Sequence, residues 1–134
     1  MNLGRLDEAI AAYDLSLARY GDRPEIALTE KVAMTIFNKA VALKKAGRRS
    51  EEIEAYDLLV SRYGHRQETT LAAEVALGLL NKALALARLE RGEEAVQALD
   101  LVLARYGNHP EAAVTEQVDN ARGLRAAILE ALEN

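Results

Sequence analysis

The sequence predicts an all-α protein built from repeated antiparallel helix pairs, which we expect to stack as a right-handed α-solenoid. The first observation is that the tripeptide RYG occurs three times, with tyrosines at Tyr20, Tyr63 and Tyr106, a constant interval of 43 residues. A constant interval of this size is typical of repeated supersecondary units. The second observation is composition, because the chain has only two prolines and 50% hydrophobic residues, dominated by alanine and leucine, which favour helices.

Bulk properties narrow the functional classes. With 134 residues and 28% charged side chains, the chain fits one well-cored domain. A net charge of −4 argues against a nucleic-acid partner, because phosphate binding depends on clustered Lys and Arg. The chain has no cysteine, which excludes disulfides and thiolate nucleophiles and suits the cytoplasm. We find neither a signal peptide nor a run of about 20 apolar residues, and therefore expect no membrane partner.

The stretch DEAIAAYDLSLARYG predicts the first short helix, because its apolar residues recur at three- and four-residue steps. Acidic residues lie at the start of each short helix and an arginine lies at its end. Charges in this order are stabilised by the helix macrodipole. In RYG we interpret the tyrosine as a final packing contact and the glycine as the residue that ends the helix. We therefore expect a left-handed backbone conformation, which only glycine adopts without strain, at Gly21, Gly64 and Gly107.

A long helix follows each terminator. In the first copy it is expected to open at Pro24 and Glu25, and in the second copy it is apolar on nearly every side, which predicts a central position. We expect one helical-repeat domain over residues 1–134, with short helices at 5–20, 49–63 and 93–106 and long helices at 24–46, 67–90 and 110–132.

Two departures from the register concern the third copy. Gly4 and Gly47 predict a turn glycine at Glu90, yet the glycine is Gly92, so we expect this turn to be rebuilt. The last long helix carries Asp119, Arg122 and Gly123 at positions that are apolar in the earlier copies. Since burying unpaired charges is costly, that face should meet water, as the terminal unit of a solenoid requires.

The segments GRLDEAIAAYDLSLARYG and GRRSEEIEAYDLLVSRYG resemble the second half of a tetratricopeptide repeat, with a turn glycine, a small residue and an aromatic residue in order. The small residue of that family's first helix is matched by Ala40, Ala83 and Ala126. The resemblance implies a TPR-like superhelix of about six helices that acts as a protein-interaction scaffold.

The chain departs from the tetratricopeptide pattern in length and at one buried position. Its interval is 43 residues instead of the family's 34, and the additional segments, such as PEIALTEKV, lie just before each long helix's family-like part. We expect them to lengthen the helix by about 2.5 turns. In the second copy Glu52 stands where a small residue is expected. The sequence therefore predicts an extended variant of the class.

Catalytic and cofactor chemistry find little support in the residues. His65 and His109 fall in links between helices, without metal-ligand spacing around them. No serine has a local base, and no glycine-rich phosphate loop occurs. We therefore predict no catalytic residue, no metal site and no cofactor. The basic stretch KKAGRR has two interpretations, an acidic-partner site or a favourable charge at a helix's carbonyl end.

The expected partner site is a concave groove lined by long helices. Asn38 and Asn81 lie in apolar surroundings, so each must either bond across a helix interface or face a groove, where the resemblance implies peptide contact. An apolar or helical segment of a partner protein is the predicted ligand. The candidate groove residues are Met34, Phe37, Asn38, Val41, Leu77, Leu80, Asn81 and Leu84.

The alternative function is structural self-assembly, or membership of a longer repeat array without a ligand. The first short helix has no long helix before it in this sequence, so its apolar stripe is expected to have an uncovered flank. Association through this helix would produce most simply a two-fold homodimer. The candidate self-association residues are Leu6, Ile10, Tyr13 and Leu17.

Overall fold

The structure is a computed structural model that describes residues 3–22 and 26–134. Over this part of the chain it contains six α-helices and no strand, which confirms the all-α prediction. The expected helix start at Pro24 and Glu25 lies outside the described residues. The short helices are α1 (Leu3–Tyr20), α3 (Arg49–Tyr63) and α5 (Gly92–Tyr106), and the long helices are α2 (Ile26–Lys45), α4 (Thr69–Arg88) and α6 (Ala112–Glu133).

Each helix packs against the next one in the chain, and the long helices also pack against one another in the order α2, α4, α6. Helix α4 contacts α2, α3, α5 and α6, the central position that its apolar sequence predicts. By length and composition alone α4 is apolar enough to cross a membrane, although we expected no such run. Its apolar residues are instead buried in the core between the other helices, as they would be in the core helix of a globular domain.

Small residues allow the helices to approach closely. Ala40 in α2 and Ala83 in α4 are completely buried, whereas Ala126, their counterpart in α6, is exposed. A Cβ on Gly78 of α4 would lie 2.8 Å from Leu59 Cδ2 of α3, so the missing side chain lets these two helices pack together. Asp119 and Arg122 are exposed and paired at 3.3 Å, which confirms that their face meets water.

The RYG glycines do not adopt the left-handed conformation that we expected. Gly64 has φ −64° and Gly107 has φ −58°, both in the right-handed helical region. Among the described glycines only Gly47 has a positive φ. The prediction was wrong because it explained the glycine by its freedom to adopt a positive φ. A Cβ on Gly64 would overlap Arg105 Nη1 and lie 2.5 Å from the Val60 carbonyl oxygen, so glycine is required here for space.

The turns from long to short helix keep one geometry in the second and third copies. After α2, the amide of Arg48 donates to Leu43 O, and Gly47 between them has φ 76°, the Schellman arrangement. After α4, Arg91 donates to the Leu86 oxygen in the same way, and Glu90 has φ 61°. The expectation of a rebuilt turn was therefore wrong, because Glu90 itself adopts the conformation in which glycine would be unstrained.

Candidate partner-binding groove

An open, mostly apolar concavity lies between α1 and α2. It has a volume of about 470 Å³, which suits a few side chains of a partner and falls within the range of ligand pockets. We call it the α1–α2 groove. Its lining residues are Ser16 and Tyr20 of α1 and Leu28, Lys31, Val32, Met34, Thr35 and Asn38 of α2.

The groove is open because the first copy has a small side chain at this place and no helix of the described chain packed over it. Ser16 stands where the later copies have Leu59 and Val102, which are fully buried. Tyr20 is 39% exposed, whereas its counterparts Tyr63 and Tyr106 are 7% and 0% exposed. The same RYG tyrosine is therefore a core residue in two copies and a surface residue in the first.

The groove combines an apolar surface with polar groups along its edge. Met34 is 54% exposed, and together with Leu28 and Tyr20 it offers apolar contact area to a ligand. The Thr35 hydroxyl donates to the Lys31 carbonyl at 2.7 Å, so it is already engaged within the helix. The exposed Asn38 amide and the Lys31 ammonium remain at the edge as hydrogen-bonding groups. This arrangement is suited to binding an amphipathic segment.

Only part of the predicted groove set lies in this groove. Met34 and Asn38 line it, whereas Leu80 is buried in the core. Phe37 is half-buried and packs at 6.2 Å, centroid to centroid, against Tyr56. The expected exposed wall is therefore wrong at Phe37 and Leu80, because the neighbouring helices already use these two residues for packing. The remaining predicted residues are half-buried: Val41, Leu77, Asn81 and Leu84.

The two asparagines occupy different environments. Asn38 is exposed at the groove, whereas Asn81 is half-buried and lies near the phenol of Tyr56. The structure thus places the first asparagine where a ligand can reach it and the second beside a buried polar group. The sequences that begin at the two asparagines, NKAVAL and NKALAL, differ at one apolar position and gave no means of separating the two environments.

A buried polar cluster on α3 adjoins Asn81. Glu52 is 1% exposed and its Oε1 lies 3.5 Å from Arg49 Nη1. Burial raises the pKa of Glu52, against the opposing effects of Tyr56 and Arg49. Burial also raises the pKa of Tyr56, and the nearby Glu52 carboxyl adds to this effect. The Tyr56 hydroxyl makes no hydrogen bond of good geometry within the described residues.

The predicted self-association residues face α2. Ile10 is buried in the core, and Leu6, Tyr13 and Leu17 are partly buried against it. Substitution of Ile10 by glutamate would disturb the fold itself. The large apolar residues that α1 leaves exposed are Leu3, Leu15 and Tyr20.

Sequence reasoning missed a joint between successive RYG motifs. The Arg62 guanidinium donates to the Gly21 carbonyl at 2.6 Å, and Arg105 lies against Gly64 at the same separation of 41 residues. The Tyr106 hydroxyl also donates to the Gly64 carbonyl, at 3.3 Å. The constant offset between one motif's arginine and the preceding motif's glycine was the signal that could have revealed the joint.

Arg48 of the basic stretch and His109 both make contacts within the fold. Arg48 pairs with Glu51 at 2.6 Å and with Asp7 at 3.4 Å, so α1 and α3 use part of the basic stretch structurally. His109 Nε2 contacts the Gln67 carbonyl at 2.8 Å, while the Glu111 amide donates to His109 Nδ1. These partners fix the proton on Nε2. No potential metal-binding group of His, Asp and Glu occurs among residues 3–22 and 26–134.

Comparisons with known proteins found no relative. The chain matches no protein-family model, no curated protein and no solved structure. Its function has to be inferred from its own residues and geometry.

Proposed function

We propose that this chain is a non-enzymatic protein-interaction scaffold whose α1–α2 groove binds an apolar, helical segment of a partner. The observation that supports this function is the exposure of Met34 and Tyr20 beside Leu28 in an open concavity of about 470 Å³. Exposed apolar surface of this shape is typical of sites that a partner covers. An amphipathic helix laid in a groove is one of the recurring modes of peptide recognition.

The architecture that we propose for this scaffold is a right-handed, TPR-like α-solenoid with lengthened first helices, acting in the cytoplasm. Equivalent ion pairs at 43-residue steps support it, since each joins a short helix to the following long one at 2.5 or 2.6 Å. Solenoids expose extended surfaces that other proteins bind. The three pairs are Lys39–Asp14, Lys82–Asp57 and Arg125–Asp100.

Self-assembly, or a place in a longer array, is the second candidate function. The observation that favours it is the exposure of Leu3 and Leu15 on α1, 57% and 62% respectively. A two-fold dimer through α1 would use these two residues, because the stripe of Leu6, Tyr13 and Leu17 already packs against the core.

Selection from a displayed library of helical peptides tests the proposed function. We expect the wild-type chain to enrich amphipathic peptides and Met34→Glu to lose them. Leu132→Glu is the matched control, because Leu132 is also an exposed apolar residue but lies in α6, which does not pack against α1. Failure to enrich any Met34-dependent peptide would contradict the proposal. Light scattering over a concentration series distinguishes self-assembly from partner binding, because self-assembly predicts a stable oligomer of the chain alone.

A further inference from the structure

The α1–α2 groove corresponds, 43 residues later, to a surface that α2 covers. Helix α2 packs against both α3 and α4. Its Phe37 contacts Tyr56 of α3, and a Cβ on Gly78 of α4 would lie 3.7 Å from the same ring. The counterpart of Gly78 in the first copy is Thr35, which lines the groove. The place that α2 fills against α3 and α4 is thus vacant against α1 and α2.

The direction of the covering helix follows from two further contacts of α2. Near its start, Thr29 lines one cleft with Tyr63, at the end of α3. Near its end, Leu43 lines another cleft with Glu51, at the beginning of α3. Helix α2 therefore runs antiparallel to α3. A helix that filled the equivalent place would run antiparallel to α1, with its first turns near Tyr20.

Burial of the counterpart residues shows what the first copy lacks. Leu71, the counterpart of the half-buried Leu28, is 1% exposed, and Leu58, the counterpart of the 62% exposed Leu15, is half-buried. Leu58 lines a cleft with Ile36 and Leu43 of α2. The vacant place therefore extends from the groove across α1 towards Leu15, which at 62% is more exposed than either counterpart, the half-buried Leu58 or the 36% exposed Leu101.

We infer that the partner segment is a helix that imitates α2, lying antiparallel to α1 with two adjacent large apolar residues and a third about two turns later. This inference rests on the proposed function and specifies its ligand. Two helices of this chain carry the pattern at equivalent positions, Ile36, Phe37 and Leu43 in α2 and Leu79, Leu80 and Leu86 in α4. Lys31 of the groove replaces Glu74 of the second copy, so an acidic residue of the partner is favoured beside it.

A second copy of this chain fits the vacant place poorly. Helix α6, the last long helix, packs against α4 and α5 and carries Arg122 and Gly123 where α2 has Ile36 and Phe37. Asp119 and Arg122 are exposed and paired, and burying them in an apolar groove would be costly. The pattern of α6 is therefore wrong for this place.

Titration of the full chain with a labelled peptide of sequence Ile26–Lys45 tests the inference by fluorescence anisotropy. We expect saturable binding that weakens about tenfold or more for the Met34→Glu and Leu15→Glu proteins, and is unchanged for Leu132→Glu. The matched control peptide carries Ile36→Arg and Phe37→Ala, which keep the helix propensity but remove the apolar pair. It should bind about tenfold more weakly or not at all.

Absence of binding, or equal binding of the two peptides, would overturn the inference. So would sedimentation of the wild-type chain as an oligomer that Met34→Glu converts to a monomer, because the occupant would then be a second copy. These failures differ from failure of the proposed function, which predicts that library selection yields some Met34-dependent peptide even if the α2 sequence is not bound.

Discussion

The guanidinium of Arg62 donates a hydrogen bond to the carbonyl oxygen of Gly21, 2.6 Å away and 41 residues earlier in the chain. Arg105 approaches Gly64 in the equivalent place, so closely that a Cβ there would overlap its Nη1. The recurrence of RYG thus has a tertiary cause in addition to helix ending. The arginine of one motif reaches the end of the preceding short helix, and the glycine leaves room for it.

Removal of this contact should destabilise the fold. We expect Arg62→Ala to lower the free energy of unfolding by about 1.5–3 kcal/mol, the range for a hydrogen bond that involves a charged group. Urea denaturation measures the change. Arg19→Ala is the matched control, because Arg19 is the arginine of the first RYG and lies over the Tyr20 ring at 6.0 Å, a contact within its own motif. An equal loss in both variants would contradict the joint.

A side chain at the RYG glycine should be unfavourable even though its φ is ordinary. We expect Gly64→Ala to cost about 1–3 kcal/mol, because the methyl group would overlap Arg105 Nη1 and the Val60 carbonyl. Gly123→Ala is the control, since no atom lies within 4 Å of a Cβ there and alanine favours the helix interior by about 0.5–1 kcal/mol. The midpoint of chemical denaturation should therefore fall for Gly64→Ala and rise for Gly123→Ala. A neutral Gly64→Ala would show that the contact relaxes freely.

The strained turn at Glu90 offers a stabilising substitution. Because Glu90 has φ 61°, Glu90→Gly should raise the free energy of unfolding by about 1 kcal/mol through relief of left-handed strain. The reciprocal change Gly47→Ala, at φ 76° and with open space around its Cβ, should lower it by a similar amount. The thermal midpoints of both variants check the pair. A lower midpoint for Glu90→Gly would contradict this expectation, because the interactions of the glutamate side chain would then stabilise the fold by more than the strain costs.

The buried Glu52 predicts a pH-dependent stability. Burial raises the pKa of Glu52 in the fold, so the folded chain binds more protons than the unfolded chain as pH rises from about 4.3, the ordinary value for glutamate. The free energy of unfolding should therefore fall over that range. Glu52→Gln should remove this contribution, so its advantage over wild type should grow with pH and vanish under acidic conditions.

Glu51 provides the control with the opposite sign. Its hydrogen bond to Arg48 lowers the pKa of Glu51, and the associated stability is present above the ordinary glutamate pKa and lost as pH falls through the lowered one. Glu51→Gln should therefore remove a contribution that favours folding at neutral pH. Denaturation curves measured from about pH 3 to about pH 8, a range that includes the ordinary glutamate pKa, compare the two variants. Matching trends for both would contradict the environment assigned to Glu52.

The helices and their order were predictable because the 43-residue interval and the apolar spacing are both visible in the sequence. The central position of α4, which is apolar on nearly every side, and the polar face of α6 were predictable for the same reason. The environments of Phe37 and Leu80 were not, since an apolar residue on a long helix is equally suited to a groove and to a neighbouring helix. Only the packing of α2 against α3 and α4 decides between them.

The open groove could be predicted only in part. Met34 and Asn38 were identified from the resemblance, but Ser16 and Tyr20 were interpreted as ordinary members of the first short helix. The difference between Tyr20 and Tyr63 lies in what covers them, and the local sequence RYG is identical at both. A comparison of each position with its counterparts, Ser16 against Leu59 and Val102, was the signal available in the sequence.

An NMR titration of the isotopically labelled chain with a peptide enriched by library selection examines the binding site directly. We expect amide shifts to concentrate at Ser16, Tyr20, Met34 and Asn38, with the α5 and α6 resonances unchanged. Met34→Glu should abolish these shifts, and Leu132→Glu should preserve them. Shifts centred on α5 and α6, or a peptide that binds without perturbing the α1–α2 groove, would contradict the assignment of this groove as the partner site.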